Sequence, residues 1–323
     1  MIHIRTDLAI ENRELYREEK KGEVPGIDVE KIEDEDYTVT RVKILNEIGS
    51  KNLGRPEGVY ITIEVPKLKN TDQDLKDEIS KLLAKEVKGI GRNDKNTKTL
   101  IIGLGNWNVT PDALGPKVVD RVLVTRQFFE TYKKDEDETV ANVSALSPGV
   151  MGLTGIETGE IVKGIVEKTK PNLIIAIDAL ASRKMERVST TIQISDTGIS
   201  PGSGIGSNRI GLNEEYLGIP VIAIGVPTVV DAATMVNDTM DLIIGSMKDI
   251  ARGGEFYSTL EQVSSEDKYS LIKEVLEPFM PNVVVTPKEI DLIIDDLSII
   301  IANGLNMALH HGIDLEDVNR YIR

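Results

Sequence analysis

Three short, unbroken aliphatic runs limit what this chain can fold into: residues 100–104, 173–177 and 221–226. Each has the length of a strand, and stretches with apolar residues at helical spacing lie between them. A strand that is apolar on both faces must be covered on both faces. The alternation therefore predicts a single α/β domain with a mostly parallel sheet flanked by helices. Residues 58–65 and 142–146 read as further strands, 283–285 as a short one, and 188–194, alternating Val, Thr, Ile and Gln, as an edge strand. Residues 72–88 put Leu75, Ile79, Leu82, Leu83 and Val87 on one helical face, and 157–168 do the same with Ile161, Val162, Ile165 and Val166. Helices are also expected over 115–129, from Asp231 to about 250, over 268–278 and over 314–322. Thr286-Pro287-Lys288-Glu289 combines a capping box with proline at the first helical position. Behind it Ile290, Ile293, Ile294, Leu297, Ile300, Ile301 and Leu305 form one apolar face that Gly312 would end. Aromatic residues are 4% of the chain, so the core must be aliphatic. Residues 8–57, rich in charge, read as an N-terminal appendage.

Composition removes several kinds of chemistry. The 323 residues include no cysteine, which excludes thiolate nucleophiles, thiolate metal sites and disulfides. The three histidines, His3, His310 and His311, lie at the two ends, so a Ser-His-Asp triad or a three-histidine zinc site has little to draw on. Any catalysis must fall to carboxylates, lysines or hydroxyls. The net charge of −15 argues against direct binding to nucleic acid and suits a basic or neutral protein partner. The start is charged from Arg5 onward and lacks the apolar core of an export signal, and no run reads as a membrane span. A cytoplasmic protein without a membrane partner is expected.

In an open α/β sheet, ligands bind beyond the carboxyl ends of the strands. Asp178 directly follows the run 173–177, and Asp112 lies in the loop 105–115 that follows the run 100–104. If the two strands are neighbours, both carboxylates face one crevice. A pair of carboxyls can hydrolyse an amide without histidine, because close like charges and partial burial push their pKa values apart. One then stays ionised as base and the other protonated as acid. The alternative is structural: Asp112 as a turn or helix cap before Leu114, and Asp178 as a cap on the segment after its strand. For Asp231 the helix cap is the better reading. The triplet Asp196-Thr197-Gly198 has the letters of a pepsin motif, but that architecture is all-β and needs two copies, so a turn is expected. The glycine pairs at 103–105 and 202–206 complete no dinucleotide or Walker fingerprint. Ser265 and Lys268 fall in a polar connector. His310-His311 at a helix terminus would suit the helix dipole.

The stretch GLGNWNVTPDALGPK at 103–117 resembles the germination protease family of spore-forming bacteria, also called spore protease. The resemblance continues through SPGVMGLTGIET at 147–158, IIAIDALASR at 174–183, TIQISDTGI at 191–199, GIPVIAIG at 218–225, PTVVDA at 227–232 and VTPKE at 285–289. It covers nearly the whole chain. It implies an atypical aspartic endopeptidase that degrades small acid-soluble spore proteins in germination, with Asp112 and Asp178 matching the family's catalytic aspartates and no metal or other cofactor. It also implies a homotetramer, located in the cytoplasm of the forespore and the spore core. The family is made as an inactive precursor that removes its own propeptide, and its cleavage sites resemble Thr/Ser-Glu-Phe/Ile-Ala. Thr6-Asp7-Leu8-Ala9 is similar to that pattern. Cleavage between Asp7 and Leu8 is therefore expected, removing residues 1–7 from a peptidase domain of 8–323. The fold is expected to resemble the phosphorylase/hydrolase-like fold of hydrogenase-maturation peptidases, whose glycine loop is also similar. Those enzymes cut near a bound nickel with carboxylates and a histidine, and this chain has no mid-chain histidine. Two alternatives follow: a metal-dependent peptidase of that kind, or a non-enzymatic module whose acidic crevice holds a basic partner or a metal ion.

Overall fold

The aliphatic runs become adjacent strands at the centre of one sheet. A computed structural model describes residues 6–70, 72–91, 97–132, 139–200, 210–251, 272, 274, 275 and 283–317. In chain order the strands are β1 (Ile27–Glu33), β2 (Thr38–Ile44), β3 (Gly58–Glu64), β4 (Lys98–Gly103), β5 (Asn142–Leu146), β6 (Leu173–Ser182), β7 (Thr191–Ser195), β8 (Val221–Asp231) and β9 (Val284–Val285). They form a mixed sheet in the order β1-β2-β3-β7-β8-β6-β4-β5, with β9 paired to β8. The half β8-β6-β4-β5 is parallel, and the half β1-β2-β3-β7 is antiparallel and joins β8 antiparallel.

The helices are α1 (Ala9–Lys20), α2 (Glu47–Leu53), α3 (Gln73–Ile90), α4 (Leu114–Arg121), α5 (Arg126–Tyr132), α6 (Met151–Thr154), α7 (Thr158–Thr169), α8 (Glu214–Leu217), α9 (Ala232–Ala251) and α10 (Ile290–Leu309). Alternate residues of the central strands serve two cores. Ile101, Ile175, Ile177, Ile222 and Ile224 pack under α3, α4 and α10. Leu100, Ile102, Ile174, Ala176 and Val221 pack under α7 and α8. This double coverage is why the runs are apolar throughout.

Several local expectations change in the tertiary setting. The segment 188–194, expected at an edge, contributes β7, which lies between β3 and β8 with all five residues buried. Its central polar residue, Gln193, bonds to the N-terminal segment rather than to water. The helix expected over 115–129 is two, α4 and α5. The chain turns extended at Val122, and Leu123 N–H donates to Asn306 Oδ1 of α10 instead of continuing the helix. The capping box before α10 does not form: the helix begins at Ile290, and the Thr286 hydroxyl donates to the Thr228 carbonyl of β8. Every named residue of the apolar face of α10 is buried. By length and hydropathy α10 could cross a membrane, contrary to the reading that no run could, but here it is a core helix. Residues 8–57 contribute α1, β1, β2 and α2, and β2 pairs with β3 in the common sheet. The 202–206 glycines, Ser265, Lys268 and most of the 268–278 helix lie outside the described residues, as do residues 1–5.

Candidate active site

The chain order of the parallel half creates a crevice. From β4 the chain crosses by α4 and α5 to β5 on one side; it then returns by α7 to β6 on β4's other side. The sheet order reverses between β4 and β6, where the loops that follow the two strands part and leave room for a ligand. Pairing of the two strands ends at Gly103–Ile177. Asp178 is the next residue of β6, inside a strand that runs on to Ser182 beside β8. It caps no helix. It is 6% exposed, and its Oδ1 accepts from the Ala179 N–H at 2.9 Å.

The loop after β4 brings Asp112 to the same place. Gly105 adopts φ 111°, and a β-carbon there would lie 2.0 Å from the Asp112 carbonyl oxygen, so a side chain cannot replace it. Asn106 N–H donates to the Asp112 carbonyl at 3.1 Å and to Asp112 Oδ2 at 2.8 Å. Asp112 ends a 3-10 turn, and the residue flanking α4 is Ala113, so the Asp112 carboxylate closes the loop rather than capping the helix.

Asp112 and Asp178 line one cavity of about 440 Å³, together with Asp7. Among the described residues its lining adds the hydroxyls of Thr158, Ser200, Thr228 and Thr286, the apolar Leu104, Val109, Val150 and Leu180, and no basic side chain. Asp7 N–H donates to the Ala181 carbonyl at 3.0 Å, and Ala181 N–H donates to Asp7 Oδ2 at 2.9 Å. Leu8 is fully buried against Ile10, Leu180 and Ile199. The four residues expected at the catalytic and cleavage sites, Asp7, Leu8, Asp112 and Asp178, thus come together around β6.

A buried charge cluster fixes the segment that follows. Glu11, fully buried, accepts from the N–H groups of Arg183 at 2.7 Å and Lys184 at 3.0 Å, and from the Thr6 hydroxyl. Arg187, itself buried, reaches Glu11, Glu14 and Glu64. Burial acts to raise the Glu14 carboxyl, but hydrogen bonds and charge from Arg187 and then Lys184 outweigh it and hold it at about 2.

The other singled-out residues have structural work. Asp231 Oδ1 accepts from the Thr234 N–H at 3.1 Å, a cap on α9. Asp196 Oδ1 accepts from the Val59 N–H, Thr197 donates to the Tyr60 hydroxyl, and Gly198 turns the chain at φ 79°. His310 ends α10, at the helix terminus where it was expected, and is 1% exposed. Ala141 N–H can only donate, so His310 Nδ1 accepts and Nε2–H donates to the Leu123 carbonyl. Burial lowers its pKa and favours this neutral form. Sequence reasoning did not single out Gln193, whose carboxamide bonds to residues 7 and 9. Its signal was one amide in the apolar strand TIQIS. Among the described residues no three His, Asp or Glu side chains converge as a metal site.

The fold and site define an α/β protein with carboxylates gathered at a topological switch point. A family model for germination protease matches residues 4–255 and 246–322. The germination protease of Caldanaerobacter subterraneus subsp. tengcongensis is 50% identical over 323 residues, covering 100% of this chain and 99% of its own. That of Clostridium perfringens strain 13 is 50% identical over 324 residues, covering 100% of both, and that of Bacillus mycoides 44% over 357 residues, covering 98% and 96%. A solved NiFe hydrogenase maturation protease from Thermococcus kodakarensis KOD1 aligns with 46% of this chain and 80% of its own, with 20% identity and a TM-score of 0.31. The chain is a peptidase. It belongs to the germination protease family.

Proposed function

We propose that this peptidase is made as an inactive precursor, cuts its own Asp7–Leu8 bond, and then degrades small acid-soluble spore proteins, with Asp112 and Asp178 activating the water. The observation that carries this reading is that Asp7 lines the same cavity as Asp112 and Asp178, with Leu8 packed beside it. The acid of an acid-apolar-alanine segment thus stands in the crevice wall, where the acid of a substrate segment would. The ionised carboxylate takes a proton from water, and the water oxygen bonds to the Asp7 carbonyl carbon. The protonated carboxyl gives its proton to the carbonyl oxygen. As the C–N bond breaks, the proton taken from water passes to the Leu8 nitrogen, and the reformed carbonyl returns the other. Two acids sharing one proton suit mildly acidic conditions. A protease made before dormancy must stay silent, and a falling pH supplies the trigger.

The net charge of −15 suits a protein substrate and not nucleic acid. The proposed location is the cytoplasm of the forespore and the spore core, and the proposed assembly is a homotetramer. Supporting an assembly, Leu242, Ile243, Met247 and Ile250 are exposed on α9.

The test is a mass spectrum of pure protein incubated at mildly acidic pH. Wild type is expected to lose residues 1–7, while Asp112→Asn and Asp178→Asn remain whole. Processing in either variant removes that residue from the mechanism. EDTA is expected to leave the rate unchanged; loss of activity that added metal restores would favour a metal-dependent peptidase.

A further inference from the structure

The central part of β7 carries Ile192 and Ile194 into the aliphatic core and Gln193 onto the opposite face. That side chain is 8% exposed. Its Nε2 donates to the Asp7 carbonyl oxygen at 3.0 Å, and its Oε1 accepts from the Ala9 N–H at 2.7 Å. The two partners fix the carboxamide's orientation, because a carbonyl only accepts and a backbone N–H only donates. Gln193 pairs across the sheet with Gly225, and Gly225 pairs with Asp178. Directly paired residues share a face. Gln193 and Asp178 therefore stand on the same side of the sheet, one strand apart, and the Leu180 side chain lies over the glycine between them, its Cδ1 2.4 Å from where a β-carbon would be.

Resting on the self-cleavage reading above, we propose that Gln193 is the substrate-backbone clamp of this peptidase and the hydrogen-bond donor to the scissile carbonyl. One amide group grips the carbonyl on the acidic side of the cut bond and the N–H two residues beyond it. This holds Leu8 extended just before α1 begins at Ala9 and lets its side chain enter the apolar pocket of Ile10, Leu180 and Ile199. The acidic side chain is read separately, by the Ala181 N–H. The clamp thus fits the same class of segment in a protein substrate: acidic, apolar, then a residue with an unblocked N–H. As water adds, negative charge grows on the carbonyl oxygen, and a fixed, buried donor stabilises that charge more than the ground state.

Self-cleavage of the full chain is the readout. Gln193→Ala is expected to slow it by roughly 100-fold, the usual loss for one such donor. Gln193→Glu keeps an acceptor for the Ala9 N–H but offers a donor to the carbonyl only when protonated. Its rate relative to wild type is expected to recover as pH falls even where its urea midpoint already equals that of wild type, a dependence that a purely structural role would not produce. Should these variants fail to fold, the processed wild-type enzyme decides with two peptides of acid-apolar-alanine sequence, one N-methylated at the alanine nitrogen. The methylated peptide is expected to be cleaved at least about 10-fold less well, since each 1.4 kcal/mol hydrogen-bond loss is a factor of ten. Equal cleavage of both peptides, or wild-type processing in folded Gln193→Ala, overturns the clamp. If Asp178→Asn is blocked at the same time, the two-aspartate reading survives that result. Processing by Asp178→Asn instead overturns the reading on which the clamp rests.

Discussion

Asp7, Glu11 and Glu14 are all carboxylates near the N-terminus, and their surroundings give them different work. Asp7 lines the cavity, Glu11 is buried on two backbone amides, and Glu14 forks onto Arg187. Asp7 has a local signal in Thr6-Asp7-Leu8-Ala9, but nothing in spacing distinguishes Glu11 from Glu14, because their partners Arg183, Lys184 and Arg187 lie more than 160 residues away in sequence. The Glu14 carboxyl, held at about 2 against an ordinary 4.5, stabilises the fold above pH 4.5. That contribution is lost as pH falls from about 4.5 to about 2, where the folded protein finally binds the proton that the unfolded chain binds first. Urea unfolding across this range is expected to give a falling stability for wild type and a flatter profile for Glu14→Gln. Equal slopes would mean that the pair with Arg187 contributes no differential stability. By contrast, the placement of Asp112 and Asp178 on one crevice was legible, since each follows an aliphatic run that reads as a buried strand.

Among the elements, the helices with a strong 3.6-residue pattern were readable and their ends were not. The apolar stripe of α10 needed a covering surface, and α3 and α4 supply it. Its start moved because Thr286 has a better partner in β8 than in its own helix. The break between α4 and α5 belongs to Asn306 and His310, which take the backbone groups of Leu123 that a continuous helix would use. Neither event has a local signal. Packing of α10 on α3 is close enough to require Gly304, where a β-carbon would lie 3.0 Å from Leu83 Cβ and from the Ser80 carbonyl oxygen. Gly304→Val is expected to destabilise by roughly 1–3 kcal/mol, the range for overpacking a filled core, measured as a lower urea midpoint at unchanged slope. An unchanged midpoint would mean that the two helices part without cost.

For the whole molecule, the sheet's two halves divide the labour. The parallel half builds the switch point, and the antiparallel half carries Gln193 and closes over the N-terminal segment. The exposed face of α9 is the place where the proposed tetramer would be covered: Leu242 is 74% and Ile250 is 81% exposed. Leu242→Lys with Ile250→Lys is expected to lower the sedimenting mass of the assembly. A mass unchanged by both charges would put the interface elsewhere. The sequence by itself determined the class of fold, the strands that flank the crevice and two aspartates that line it, Asp178 inside β6 and Asp112 in the loop after β4. Those follow from hydrophobic periodicity and from position just after an aliphatic run, which are local. Tertiary structure decided that β7 is interior, that α4 and α5 are separate, and that residues 7–9 lie across the sheet on Gln193. Each of these is a pairing between groups distant in the chain, fixed by which buried polar atoms find partners once the two cores have closed.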